Sequence, residues 1–380
     1  MIDSKLYLLN RIKRLLWDIS GAYGDIGVLL PISIALITKN GFNPVSLFLM
    51  AGLFYIVSAY YFKITMPVQP LKAMSAIAIV TGLGCEIINT AGIILGIILL
   101  ILSITNFSKW IGNIFPVPVI RGIQVGVGLM LIKTSINLIN TDFNVAIIAG
   151  AVLIICILVK RIPPLIPILI LGIIISLNEI NPLPIEQLKL IPVIPDINHL
   201  WIALTMLVLP QIGLTIGNAI VATEATGQLL YKERAQKLTF TNISTSIGIA
   251  NIISGFMGGV PMCHGSGGLT AHNKFGATSE KSGYIIGFTL VGFAISCNTS
   301  VLFVIFSFPE AILGILLCYV GIQHTLFIKD ILKVKTSMFI ALTVAVSGFI
   351  TNNITMGFLL GIGIHYIFEY LEKRGSYVHY

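Results

Sequence analysis

Long apolar runs recur along the whole chain, and they limit what it can fold into. The stretches Val45–Phe62, Ala91–Ile104, Ala146–Val159 and Gly287–Phe308 contain no charged residue. A helix of about 20 such residues crosses a hydrocarbon core of about 30 Å. Only 10% of the 380 residues are charged, against about 25% in a typical soluble domain. The sequence therefore predicts an all-α polytopic membrane protein with lipid as its main solvent.

The apolar runs and the prolines and glycines between them predict fourteen membrane segments. Segments three and ten are short, and each follows a stretch that contains proline. The predicted cores are 19–38, 44–62, 70–83, 87–105, 118–138, 143–159, 164–178, 203–222, 240–257, 265–276, 284–307, 310–328, 332–350 and 353–371.

The basic residues predict the orientation of these segments, because Lys and Arg are enriched in cytoplasmic loops. With the N-terminus inside the cell, only Lys39 and Lys189 fall in outer loops. We therefore expect a multi-pass plasma-membrane protein with both termini in the cytoplasm. The net charge of +8 is then explained by basic residues at the cytoplasmic face of the membrane, rather than by a nucleic-acid partner.

Three landmarks recur at a nearly constant displacement and divide the chain into two repeats. An odd number of segments in each half forces the halves into opposite orientations, which is the pattern of inverted-repeat transporters. We predict a 7+7 inverted repeat, with the first repeat at 1–178 and the second at 201–371. The matched positions are Asp25 and Asn218, 193 residues apart, Pro67 and Pro261, 194 apart, and Pro116 and Pro309, 193 apart.

The first proline-rich break reads MPVQPLKAM, at Met66–Met74. Pro67 and Pro70 lack backbone N–H groups and disfavour helix just before them. A half-helix is therefore predicted from about Pro70 to Gly82, with unsatisfied N–H groups and a positive dipole end at its start. Gln69 and Lys72 add an amide and a charge there.

The second break follows Pro261, reads VPMCHGSGG, and precedes another predicted half-helix. Glycines let a ligand approach backbone N–H groups closely, and two such helix ends facing each other make an anion cradle. We expect the binding site where the two interrupted helices meet. Its candidate residues are Gln69, Pro70, Lys72, His264, Gly265, Ser266, Gly267 and Gly268.

The charged candidates allow two interpretations each. Lys72 either contacts the anion or neutralises Asp25 or another buried carboxylate, because charges within a membrane pair or line a pathway. His264 either contacts the substrate or its proton, or is a structural hydrogen-bond donor. Asp25 and Glu224 are proton-coupling candidates, unless the first is a salt-bridge partner and the second interfacial. The remaining histidines of this region are interpreted as packing or interfacial residues: His272, His324 and His365.

Four segments resemble the molybdate transporters related to sulfate permeases, within the sulfate/molybdate transporter superfamily. The two signatures are PVQPLKA at Pro67–Ala73 and PMCHGSGGLTAHNKFGA at Pro261–Ala277. Ser20–Pro31 and Leu209–Thr223 are similar to further family segments. The chain departs from the family pattern at 272–274, where His-Asn-Lys replaces a Gln followed by Tyr-Arg.

The resemblance implies the fold of uracil and sulfate permeases, with a core domain (19–105 and 203–307) and a gate domain (118–178 and 310–371). It implies a tetrahedral oxyanion as cargo, molybdate first and sulfate or tungstate next, around Gln69, Lys72 and 264–267. We expect a secondary active importer that works by alternating access. Proton symport and a homodimer are further expectations.

Other functions remain open at this point. A sulfate or other inorganic anion permease has the same architecture, and an anion channel could use the same positive helix ends. A nucleobase permease fits less well, because the breaks are rich in glycine rather than in side chains that read a planar ring. The sequence contains neither an H-E-x-x-H nor a G-x-S-x-G motif, so these motifs give no indication of an enzyme. The five cysteines form no C-x-x-C pair, so neither a metal nor a cofactor is expected.

Overall fold

Fourteen helices of at least nine residues lie in the part of the chain that the computed structural model describes, which is 18–19, 21–23, 26–105, 116–159, 165–178, 192–296, 304 and 307–377. Each corresponds to one predicted membrane segment. The helices are α1 (Ile26–Asn40), α2 (Pro44–Phe62), α3 (Lys72–Thr81), α4 (Cys85–Ile104), α5 (Val117–Ile139), α6 (Phe143–Val159), α7 (Leu165–Asn178), α8 (Ile197–Ala235), α9 (Phe240–Phe256), α10 (Ser266–Lys274), α11 (Glu280–Ile295), α12 (Glu310–Thr325), α13 (Lys335–Thr351) and α14 (Ile354–Tyr377).

Several helices fit a membrane by length and composition. Within the described residues, six are long and apolar enough to cross it: α2, α4, α5, α8, α12 with its extension to Ile331, and α14 as far as Glu372. The outward face of α6 exposes Ile148, Ile154, Ile155 and Leu158. An exposed apolar surface of this kind is stable against lipid rather than water. The protein is a multi-pass membrane protein.

Helix α8 is irregular, and its α-helical part ends at Tyr231, before a final 3-10 turn at Lys232–Ala235. Its α-helical turns alternate with two wider π turns, at Ala203–Val208 and Thr215–Val221. The first precedes Pro210, which has no N–H group to donate to the preceding turn. Single π turns inside α-helices often mark functional sites. This irregular stretch carries Gln211 and Asn218, which both reach the cavity described below.

Close helix crossings at glycine hold the molecule together. Three helix pairs pack along much of their length: α2 with α11, α4 with α9, and α5 with α12. At each crossing, a glycine of one helix lies against the carbonyl oxygen of a glycine on the other, so that the backbones meet without intervening side chains. The pairs are Gly52 and Gly287, Gly96 and Gly248, and Gly128 and Gly321.

Two strands of two residues each interrupt the helical pattern. The strands β1 (Gln69–Pro70) and β2 (Met262–Cys263) precede α3 and α10. The prediction that helix begins at about Pro70 is wrong by two residues, because Pro70 belongs to β1 and α3 begins at Lys72. Helix α3 ends before Gly82, whose φ of 68° is left-handed and therefore favours glycine.

Candidate functional site

The two proline-containing breaks lie side by side in the structure. Residues 63–71 leave α2 and run to α3 without helix, and residues 257–265 do the same between α9 and α10. β1 and β2 pair in antiparallel fashion, with Gln69 opposite Cys263. The backbone N–H of Leu71 extends the pairing by donating to the carbonyl of Pro261 at 3.0 Å. The starts of α3 and α10 are thereby brought together.

Asn251 of α9 anchors the second break. Its side-chain amide donates to the carbonyl oxygen of Met262 at 3.0 Å, and its carbonyl oxygen accepts the Met262 N–H at 2.7 Å. Both residues are buried. Inside a membrane, backbone polar groups outside helices need such internal partners. A single side chain therefore supplies what a neighbouring strand would otherwise provide.

His264 joins the two breaks. Its Nδ1 lies 2.9 Å from the carbonyl oxygen of Pro67, and its Nε2 lies 3.0 Å from the Ser246 hydroxyl. Because a carbonyl oxygen only accepts, Nδ1 carries the proton and Nε2 accepts from Ser246. The rings of Phe54 and Phe62 pack against the imidazole, with centroids 4.8 and 5.6 Å away. Both ring nitrogens of the fully buried His264 are thus used for structural bonds.

The first turns of α3 and α10 present open backbone donors. Among the described residues, no hydrogen-bond acceptor faces the N–H groups of Lys72 and Ala73, or those of 266–268. The next donor of α3, the Met74 N–H, is taken by the Gln211 side-chain oxygen at 2.9 Å. Open N–H groups at a helix start carry partial positive charge and favour anions.

A small cavity with several polar side chains in its lining lies at the start of α3. Its volume is about 20 Å³, which is room for about one water-sized molecule. Two groups of helices contribute to its walls. The lining residues are Gln69, Lys72, Ala73, Gln211, Leu214, Asn218, Ala219 and Cys263 on one side, and Gln124, His324 and Phe327 on the other.

Two sets of predicted site residues lie at or beside this cavity. Gln69 and Lys72 line it, and no ion-pair partner of Lys72 lies among the described residues. The start of α10 adjoins it through the Ser266 hydroxyl, which donates to the Asn218 side chain at 3.0 Å. A Cβ atom at Gly265 would lie 2.8 Å from the Gln69 side-chain oxygen.

Other predicted residues lie elsewhere. The carbonyl oxygen of Pro67 accepts a hydrogen bond from His264, and that of Pro261 accepts one from the Leu71 N–H group. The half-buried Glu224 accepts a hydrogen bond from Gln228 at 3.4 Å and does not line the cavity. Asp25 lies outside the described residues, so the alternative of an Asp25–Lys72 salt bridge stays a prediction.

Sequence reasoning missed four lining side chains that carry hydrogen-bonding groups. Gln211 stands in the quoted segment Leu209–Thr223, so its presence in a polar run of a membrane segment was a usable signal. Gln124 is likewise a polar residue within an apolar segment. His324 is interpreted from the sequence as a packing or interfacial residue, and the structure places it at the cavity. The fourth, Asn218, was matched to Asp25 but given no role.

A family comparison covers the residues of both breaks. The model of a family described as "Molybdate transporter of MFS superfamily" matches residues 18–131 and 203–323, more than half of the chain. The chain belongs to this family. Both breaks fall inside the matched residues. Membership of the family makes the chain a membrane transporter of anions rather than an enzyme.

Curated relatives of the molybdate transporter family align over most of their length. Molybdate transporter 2 of Arabidopsis thaliana is 27% identical, with 93% of this chain and 87% of the relative covered. Molybdate transporter 1 of the same plant is 24% identical, with 94% and 89% covered. Molybdate transporter 1 of Chlamydomonas reinhardtii is 21% identical, with 92% and 91% covered.

Two solved structures show the same fold as this member of the molybdate transporter family. The transmembrane domain of a cyanobacterial bicarbonate transporter, BicA, has a TM-score of 0.68 at 17% identity, with 91% of this chain and 97% of that chain covered. The murine Solute Carrier 26 family member A9 anion transporter, in its inward-facing state, has a TM-score of 0.69 at 15% identity, with 94% and 68% covered.

Proposed function

We propose that this protein is a secondary active transporter that imports a tetrahedral oxyanion, with molybdate as the first candidate. The observation that carries the proposal is the cavity where Lys72 and the open N–H groups of α3 face a second group of helices. The curated relatives are named as molybdate transporters, which supports molybdate ahead of sulfate and tungstate.

The charges at the site suit a dianion. Lys72 carries one positive charge, and each helix start adds roughly half a unit charge. Together these give about two positive charges, which balance the two negative charges of molybdate, sulfate or tungstate. Gln69 at the end of β1 supplies amide donors without adding charge. We assign the anion to Gln69, Pro70, Lys72 and Gly265–Gly268, with His264 as the residue that positions both breaks.

We further propose a 7+7 inverted repeat, with α3 and α10 as its half-helices. Helix packing supports it, because the contacts persist when each helix is exchanged for its counterpart seven places along the chain. The pair α2 and α11 becomes α9 and α4, and the pair α5 and α12 becomes itself. The glycine pair at this last crossing, Gly128 and Gly321, is separated by 193 residues, the displacement seen in the sequence.

Alternating access between a core and a gate follows from this architecture. The core comprises 19–105 and 203–307, and the gate 118–178 and 310–371. The cavity lies between the two, and a volume of about 20 Å³ is too small for an oxyanion with a full set of surrounding donors. Entry and release therefore require the core and gate to part on one side at a time.

Direction and coupling are also part of the proposal. Import into a negative cell interior opposes the charge of a dianion, so coupling to protons would offset that cost. Asp25 and Glu224 are the carboxylates we propose for this task. We place the protein in the plasma membrane, with both termini in the cytoplasm, as the distribution of Lys and Arg predicts. A homodimer stays a prediction.

Uptake by proteoliposomes tests the proposal. We expect the purified protein to accumulate labelled molybdate when a proton gradient is applied, and excess sulfate to compete weakly. Lys72→Gln is expected to weaken molybdate binding about tenfold to hundredfold, because a hydrogen bond to a charged group is lost together with the charge. The matched control is Lys133→Gln, since Lys133 lies away from the cavity and contacts Asn352 at 3.5 Å.

The same assay separates the alternatives. Stronger uptake of sulfate than of molybdate would make the protein a sulfate permease. Dissipative flux without accumulation would make it an anion channel. Absence of binding and flux for all three oxyanions would overturn the proposal.

A further inference from the structure

His324 is a buried histidine that the structural bonds of the site do not use. It lies in the last turn of α12 with 5% of its surface exposed, and it lines the same cavity as Gln69 and Lys72. Its Nδ1 atom is buried and has no hydrogen-bond partner among the described residues. Unlike His264, whose two nitrogens are bonded, His324 lines the cavity and has a ring nitrogen without a hydrogen-bond partner among the described residues.

The surroundings of His324 hold its ring in place. The Phe327 ring packs edge-on against it, with centroids 6.1 Å apart. The Arg121 guanidinium lies 5.5 Å from the centroid of the Phe327 ring, forms an ion pair with Asp330 and donates to Gln124 at 3.0 Å. The described residues on the proposed gate side of the cavity therefore form a fixed wall of polar and aromatic side chains.

A buried polar atom without a partner is unfavourable, and it requires an explanation. Folding alone gains nothing from an unbonded imidazole nitrogen in this position. A neutral imidazole offers one N–H donor, which suits an anion oxygen. A neutral donor also adds no charge to a site whose positive charge already balances a dianion.

We infer that His324 is a further oxyanion-binding residue, contributed by the gate, whose ring N–H bonds an oxygen of the anion held by Gln69 and Lys72. This inference rests on the proposed function. The anion then bridges core and gate, so that a loaded site favours the closed arrangement. Selectivity for a tetrahedral oxyanion follows in part from the distance between this donor and those at the start of α3.

Binding by the purified full chain tests the inference, with molybdate as the probe. His324→Leu fills similar space without a donor, and we expect molybdate affinity to fall about tenfold to hundredfold. His324→Gln restores an amide donor and is expected to recover most of that loss. The matched control is His365→Leu, because His365 lies on α14 away from the cavity and contacts Tyr366.

Thermal unfolding without anion separates binding from structure. We expect His324→Leu to unfold at the temperature of the wild type or above it, yet to gain less stability from added molybdate. Equal molybdate affinity in wild type and His324→Leu would overturn the inference and leave the proposed function intact. If the wild type itself binds no oxyanion, the proposed function fails first. If His324→Gln binds as poorly as His324→Leu, a donor role is also excluded.

Discussion

At the residue scale, the side chain of Gln69 leaves too little space for any residue but glycine at position 265. The φ of Gly265 is −118°, so other residues could adopt the backbone conformation. The constraint is space, because a Cβ atom would lie 2.8 Å from the side-chain oxygen of Gln69 and 3.5 Å from its amide carbon. A contact of 2.8 Å is closer than carbon and oxygen pack in proteins, so the amide must move.

We therefore expect Gly265→Ala to displace the Gln69 amide and lower molybdate affinity about tenfold, which is roughly the loss of one hydrogen bond. Isothermal titration of the purified protein measures it. Gly363→Ala is the control, because a Cβ atom on Gly363 meets nothing within 4 Å. Unchanged affinity in Gly265→Ala would show that the position of Gln69 does not matter.

The sequence singles out two of the residues that line the cavity, Gln69 and Lys72, and the reason is local. Gln69 and Lys72 stand beside prolines that interrupt the helical pattern, so chemistry and backbone signal coincide within a few positions. His324 and Gln124 lie in ordinary helical segments. Their place at the cavity depends on how α12 and α5 pack against distant helices, which no local pattern encodes. The bonding of both His264 nitrogens is equally a product of tertiary contacts.

At the scale of elements, glycine crossings determine how closely the long helices approach. A Cβ atom at Gly96 of α4 would lie 2.7 Å from the carbonyl oxygen of Gly248 on α9, and one at Gly248 would lie 3.0 Å from the oxygen of Gly96. These contacts are to backbone, which cannot rotate out of the way as a side chain can. This crossing fixes the position of α9, and therefore also the positions of Asn251 and the second break.

Gly96→Ala is expected to separate α4 from α9 and to lower the free energy of unfolding by about 1–3 kcal/mol, as overpacking of a tight interface does. The midpoint of thermal unfolding in detergent measures the change. Gly292→Ala on α11 makes the same substitution where nothing lies within 4 Å. Equal midpoints for the two variants would refute the role assigned to this crossing.

The number and order of helices were predictable because apolar runs of membrane length are a strong signal. The residues at which the helices begin and end were less predictable. Helix α8 begins at Ile197 and ends at Ala235, well beyond its predicted core of 203–222. Its C-terminal extension, Thr223–Ala235, is rich in polar residues and carries little hydropathy signal. The pairing of β1 with β2 joins residues far apart in the chain, and only the matched spacing of the prolines pointed towards it.

At the scale of the whole molecule, one ion pair joins the proposed core to the proposed gate. Lys39 at the end of α1 contacts Glu310 at the start of α12. The predicted topology places both on the outer side of the membrane. Both side chains are partly exposed, so the pair contributes little to overall stability. Its effect is expected in the balance between outward-open and outward-closed arrangements.

We predict that Lys39→Glu favours the outward-open arrangement, because two carboxylates then repel each other. The measurement is labelling of Cys263, which lines the cavity, by a membrane-impermeant thiol reagent added outside, with the other cysteines replaced. Faster labelling is expected. Adding Glu310→Lys restores an attractive pair and should return the rate to that of the parent. If the labelling rate does not change in either variant, the role assigned to the Lys39–Glu310 ion pair is wrong.

The pairing of β1 with β2 has a mechanical consequence. Asn251, His264 and the Leu71–Pro261 hydrogen bond tie the two breaks into one rigid unit. In the proposed alternating-access cycle, the donors at the start of α3 therefore keep the same spacing whichever compartment they face. Affinity for the ion should then be nearly equal on the two sides of the membrane, and net accumulation must come from the driving gradient.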